Sequence, residues 1–345
     1  MLLKELTEAN GVSGREKEVR GLIRQKISSY VDEIRTDSIG NLIAHKKGDS
    51  SKPTIMLTAH MDEIGLMITD ITKDGLLKFK PIGGIDKRVL VSKQVLVGED
   101  RIPGVIGAKA IHLQEPEERE QPLDYKSLYI DIGAKDKEEG EKLVDLGTMA
   151  TFNTKYKRLG AKTAKGKAFD DRIGCAALIE LLQEDYNLPL YAVFTAQEEV
   201  GTRGASIAAY NINPDLALVL EGTTASDVPG SEEEDYSTSL GQGPAFTVQD
   251  GSVIPHKTIV NKLIEIAEKE KINYQFRRST AAGNDAGAIH LTREGIPSGV
   301  ISVPCRYIHS PVSLVNLDDY QRTIKLTKLF CQEVAKGGID DERIS

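Results

Sequence analysis

Tryptophan is absent from this sequence, cysteine occurs three times, and no apolar run exceeds the length of a strand. Each shortage excludes something. Without tryptophan, and with aromatics at 5% of residues, the chain lacks the stacking platforms that sugar- and base-binding proteins use. Cys175, Cys305 and Cys331 are too few and too scattered for a disulfide framework or a CxxC metal site, and are read as reduced and mostly buried. A membrane helix needs roughly 20 consecutive apolar residues, far more than any run here. The opening stretch MLLKELTEANG lacks the cationic-then-apolar pattern of an export signal, so a soluble, cytoplasmic protein is predicted. Positive charge is in deficit: 44 Lys and Arg against 52 Asp and Glu leave a net charge of -8, which argues against nucleic acid as a partner.

What is present is an ordinary globular composition. At 345 residues and 40% hydrophobic, the chain can fill one large domain or two. Two helices are predicted at 2–9 and about 14–29, the second with a capping-box pattern of Ser13 and Glu16. A hairpin follows around Gly40 and Asn41, then Ile55 to Ala59, a continuous apolar run of the kind buried on both faces of an α/β sheet. From 68 to 164 the texture changes to short β-like runs punctuated by Gly and Pro, with one charged helical stretch, KDKEEGEKLVDLG. This reads as a small β-rich unit inserted into a larger domain formed by 1–67 and 165–345. Beyond it, helices (171–184, 203–210, 255–270, 284–294, 316–335) alternate with strands (189–195, 215–221, 298–303), and Gly337-Gly338 stops the last helix.

Chemistry-bearing residues fall where the apolar strands end. Ile55 to Ala59 runs into His60 and Asp62, Leu190 to Phe194 into Glu198 and Glu199, Leu216 to Leu220 into Glu221, and Val300 to Val303 precedes His309. Ligands of open α/β sheets bind at the carboxyl edge of the strands, so these distant residues can converge on one crevice. KAFDDRIG adds Asp170 and Asp171 before a helix, where Asp171 also suits an N-cap. Two histidines with several carboxylates are what a pair of zinc-like ions takes as ligands. His45, His112, His256 and His290 lack such a setting and are read as structural.

In order and spacing, TAHMDEIGLMI, KAFDDRIGC, TAQEEVGTRGA, LEGTTASDVPG and YIHSPVSLVNLDD resemble the motifs of dinuclear-metal aminopeptidases. These are the tetrahedral (TET) or glutamyl aminopeptidases of metallopeptidase family 42, often labelled endoglucanase M. The likeness spans almost the whole chain. It implies a three-layer α/β/α, phosphorylase/hydrolase-like catalytic domain with an inserted small β-barrel-like domain that mediates dimerisation, six dimers building a hollow dodecamer. It further implies that Asp170 bridges two divalent ions (Zn, Co or Mn), that His60 and Glu221 complete one, and that Glu199 and His309 complete the other. Asp62 would orient His60 through its other ring nitrogen, Glu198 would be general base and acid, and the Asp170-Asp171 peptide would be cis. Where many members carry an aspartate, this chain has Glu221. The implied substrates are short peptides; read from the residues themselves, Arg277 with Arg278 is either a solvated loop pair or a basic patch that would favour an acidic N-terminal residue. Two alternatives stay open: another dimetal amidohydrolase (carboxypeptidase or deacylase), and an endoglucanase.

Overall fold

The structure, a computed structural model, describes residues 1–337. Three strands precede the insert: β1 (Glu33–Thr36), β2 (Leu42–Lys46) and β3 (Ile55–His60). Six form it: β4 (Gly65–Ile71), β5 (Leu77–Ile82), β6 (Gln94–Val97), β7 (Ile102–Ala108), β8 (Leu128–Asp131) and β9 (Met149–Phe152). The rest are β10 (Lys157–Leu159), β11 (Thr163–Gly166), β12 (Leu190–Thr195), β13 (Leu216–Ala225), β14 (Ala245–Phe246), β15 (Gln275–Phe276), β16 (Ser298–Arg306) and β17 (Ser313–Asn316). The helices are α1 (Leu2–Glu8), α2 (Lys17–Ile27), α3 (Pro116–Arg119), α4 (Lys137–Leu143), α5 (Phe169–Leu181), α6 (Arg203–Ile212), α7 (Lys257–Lys269), α8 (Asp285–Ile289) and α9 (Leu317–Ala335).

Eleven strands make one sheet in the order β1-β2-β12-β3-β13-β16-β17-β11-β10, with β14 and β15 attached beside β16. Its centre, β12-β3-β13-β16, is parallel. Successive strand residues face opposite sides, and β3 shows the consequence. Ile55, Leu57 and Ala59 belong to the core that includes residues of α1, α2, α5, α7 and α9, while Met56 belongs to the core with α6 and α8 on the other face. Helices therefore cover both faces, giving the predicted three layers, and every residue of β3 is buried. Asn316 caps α9, its Oδ1 accepting the amides of Asp318 and Asp319, and Gly337 follows that helix in the left-handed region; Gly338 lies outside the described residues.

The insert closes on itself as a barrel, β4-β5-β8-β7-β6-β9, around its own core of Leu66, Leu77, Val95, Ile106 and Ile130. Its strands begin at Gly65, so the chain enters the barrel directly from the His60–Ile64 segment. At the other end β10 and β11 lie within the range read from sequence as insert, yet β11 pairs with β17 and joins the large sheet. Short charged strands such as LysArgLeu at 157–159 carry no apolar signal that could separate the two units.

Candidate active site

Every strand that leads to the site ends at one edge. Thr195 of β12 pairs with His60, the last residue of β3, while pairing between β3 and β13 stops at Thr58 and Val219. Beyond that point β13 continues to Ala225 against β16 alone, so Glu221 sits within a strand and not at its end as the sequence predicted. The gap left by β3 is where the side chains meet. His60 Nε2 lies 3.2 Å from Glu221 Oε1 and 3.0 Å from Asp170 Oδ1. Asp170 Oδ2 lies 3.1 Å from His309 Nε2, which is 3.4 Å from Glu199 Oε2. One carboxylate thus spans two imidazoles, each with its own second carboxylate.

The two aspartates in the irregular first turn of α5 do different things, as side chains on successive non-helical residues can. The Asp170-Asp171 peptide is cis. Asp170 points between the histidines. Asp171 accepts the His60 amide at 3.1 Å and the Gly174 amide at 3.0 Å, so it caps the regular part of α5 and ties it to β3.

Asp62 is fully buried, but not chiefly as a partner of His60. His60 Nδ1 lies 3.1 Å from the Asp62 backbone carbonyl and 3.5 Å from its Oδ1. Donation from Nδ1 to that carbonyl leaves the Nε2 lone pair facing Asp170 and Glu221, as a metal-ligating histidine requires. The Asp62 carboxylate instead accepts the amides of Glu198 (2.9 Å) and Glu199 (3.1 Å) and the Ser13 hydroxyl (2.6 Å). It therefore holds the backbone on which both glutamates stand. Gln197 before them, and Tyr307 and His309, occupy the left-handed region, a conformation uncommon for non-glycine residues. Ser13, predicted as a helix cap, does not cap α2, whose N-cap Glu16 makes no side-chain cap hydrogen bond.

Burial and like charge dominate the electrostatics. Burial pushes Glu199 and Glu221 up to about 8 and Glu198 well above the usual carboxylate range, nearby carboxylates adding to the effect. Burial opposes charge on the histidines too, yet Glu221 and Asp170 outweigh it at His60, and Asp170 with Glu199 lift His309 to about 9. Asp170 resists burial because both imidazoles hold it below the ordinary range. Glu199 Oε1 is buried with no hydrogen-bond partner. Such a cluster of largely buried carboxylates calls for a cation. Bonds of about 2.0–2.2 Å in a tetrahedral shell place neighbouring ligand atoms about 3.4 Å apart, and the 3.0–3.4 Å separations above match that spacing. The residues fit divalent metal.

The profile of the M42 glutamyl aminopeptidases matches residues 40–326, and a further profile, AMPT, matches residues 1–21. The chain belongs to the M42 aminopeptidase family. A lysyl aminopeptidase of Pyrococcus furiosus is 34% identical over 341 residues, covering 96% of each chain. The aminopeptidase APDkam598 of Desulfurococcus kamchatkensis has a TM-score of 0.93 at 39% identity, covering 99% of this chain and 97% of its own. The PhTET1 dodecamer has a TM-score of 0.85 at 35% identity, covering 96% and 98%. This M42 chain is accordingly a metal-dependent peptide hydrolase acting on N-terminal residues, and the endoglucanase reading falls. Glycosidases work through two carboxyl groups without metal, whereas here each carboxylate pair shares a histidine.

Three features of this M42 site escaped the sequence reading. First, Lys167 and Arg172, flanking the two aspartates, converge on Glu63: Lys167 Nζ lies 2.6 Å from both Glu63 oxygens, and Arg172 donates to the carbonyls of Met61, Leu6 and Ala9. Burial pushes Lys167 down to about 8 against the pull of Glu63. Charged residues set among apolar ones in HMDE and KAFDDR were the available signal. Second, Asp285 of α8 is buried and accepts the Thr195 hydroxyl at 2.5 Å; burial raises it to about 6. Third, the barrel reaches the site: a Cβ on Gly83 would lie 3.3 Å from Glu199 Oε2, and one on Gly84 3.4 Å from His309 Nδ1. As for the arginines expected to favour acidic substrates, Arg277 is 3.5 Å from buried Asp250 and Arg278 donates to the Glu233 carbonyl.

Proposed function

We propose that His60 and Glu221 hold one divalent ion and His309 and Glu199 a second, with the Asp170 carboxylate between them. The observation that carries this reading is the placement of the two Asp170 oxygens, each within 3.1 Å of a different imidazole. Bound divalent ions of this kind acidify water and polarise a carbonyl, and Zn, Co and Mn all accept this ligand set. Glu198 stands apart from that pairing, its Oε2 3.9 Å from His60 Nε2 and its side chain still 14% exposed. It takes the proton of the attacking water and returns it to the leaving amine, a role typically worth about 10²- to 10⁴-fold. Asp62 acts by fixing the Glu198 and Glu199 backbone.

The substrates are short peptides with a free N-terminus, and the acidic cluster provides for the amine. The names of its relatives, glutamyl and lysyl, point in opposite directions on side-chain preference. Because Arg277 is committed to Asp250, the arginine pair gives an acidic preference little support. The barrel presents Val105, Ile111, Leu113 and Leu146 to solvent, which fits a dimerisation role within a dodecamer such as that of PhTET1. A mass of one chain in solution would instead make it a lid.

The test is release of Glu, Asp, Leu and Lys from aminoacyl-chromophore substrates after chelation and after restoring Zn, Co or Mn. Metal-restored cleavage of free but not N-acetylated substrates is expected. Cleavage of blocked substrates alone would move the chain to the carboxypeptidases or deacylases.

A further inference from the structure

Ser13 comes to the site from the other side of the chain, and its hydroxyl hydrogen is given to Asp62. An ionised carboxylate offers about four acceptor positions. At Asp62 three donors meet them: Ser13 Oγ and the Glu199 amide at Oδ2, and the Glu198 amide at Oδ1, with His60 Nδ1 3.5 Å from Oδ1 and its hydrogen given to the Asp62 backbone carbonyl. The side chain has no exposure to water, so a donor that is removed is not replaced by solvent. Two of the three donors belong to the site itself; Ser13 alone belongs to the N-terminal segment.

That segment is clamped. Arg172 donates to the carbonyls of Leu6 and Ala9, Lys167 to that of Ala9, and Glu63 accepts the Gly11 amide at 3.0 Å while donating its own amide to the Gly11 carbonyl at 2.9 Å. Val12 sits against Gly65, where a Cβ would meet it at 2.3 Å. The turn carrying Ser13 is therefore fixed before the hydroxyl makes its bond, and the bond sets Asp62 against the Glu198-Glu199 backbone.

We propose that Ser13 is a positioning residue of the aminopeptidase reaction, acting through Asp62 to place the proton-transferring Glu198 and the metal-holding Glu199. The inference rests on the roles assigned to those glutamates above. Partners at this remove from a metal centre are worth about 10- to 100-fold in metal affinity or activity.

The experiment is a double-mutant cycle of Ser13→Ala and Asp62→Asn in the full chain. It reads kcat and KM on a free aminoacyl substrate, cobalt affinity by equilibrium dialysis, and Tm. Ser13→Ala is expected to lower kcat or cobalt affinity at least tenfold with KM within about twofold, and to add little in the Asp62→Asn background. Wild-type kcat and cobalt affinity in Ser13→Ala overturn the proposal, as do losses that add fully to those of Asp62→Asn. A wild-type enzyme that cleaves at full rate without metal overturns instead the functional reading on which the proposal rests.

Discussion

The large domain keeps His60, Asp62, Glu63, Lys167, Asp171 and Arg172 out of water, whereas in the barrel, among the described residues, Thr151 is the one buried polar side chain. Both interiors exclude solvent equally well. Removing a charge from water costs several kcal/mol, so a chain that collects buried charges at one sheet edge spends stability there for chemistry. The barrel makes no such sacrifice, and it meets the site through two glycines that contribute proximity without a side chain. Function and its cost lie in one region; the other supplies a stable wall and an outer surface.

The sharpest way to break this contrast is within the buried charges. Glu63→Gln leaves Lys167 and Arg172 with a neutral partner, and a loss of about 3–5 kcal/mol is expected by denaturant unfolding. In the barrel the comparable change is a cavity. Leu77→Ala, at a fully buried position opposite Ile130, is expected to cost about 2–5 kcal/mol while metal content, measured per chain, stays at the wild-type value. Loss of metal in that variant would mean the regions are more tightly coupled than the glycine contact implies.

The pH response separates the regions again. In the metal-free protein Glu199 and Glu221 are held at about 8 against an ordinary 4.5, so the folded state binds more protons than the unfolded one between those values. Their contribution to stability is complete below 4.5 and is lost as pH rises through about 8. Metal-free Tm should therefore fall across that window, and metal affinity should fall in the reverse direction, because metal displaces the same protons. Calorimetry with and without metal at several pH values checks both signs. The smallest effect is expected at the point of contact. Gly84→Val presses a side chain toward His309 and should lower kcat/KM about tenfold without a change in Tm.

Much of the site was legible because its residues sit at punctuation points. Strand-end HisMetAsp, the GluGlu after Thr195 and the AspAsp in the first turn of α5 announce themselves against apolar neighbours, and the three-layer order follows from alternating periods. The strand carrying Glu221 was ended too early because its length is set by the partner β16 and not by the residue itself. The role of Ser13 was hidden for a related reason. Ser-x-x-Glu is a local pattern, while the bond from Ser13 to Asp62 spans 49 positions and depends on a clamp whose ion pairs span more than a hundred. Local signals in a sequence cannot rank such partners.

The central claim is that adjacent glutamates at 198 and 199 do different work. Glu198→Gln and Glu199→Gln, each measured for bound metal per chain and for turnover, test it directly. The account predicts that Glu198→Gln keeps wild-type metal content while turnover falls about 10²- to 10⁴-fold, and that Glu199→Gln loses metal. Normal turnover in Glu198→Gln, or metal loss there with full retention in Glu199→Gln, would contradict it.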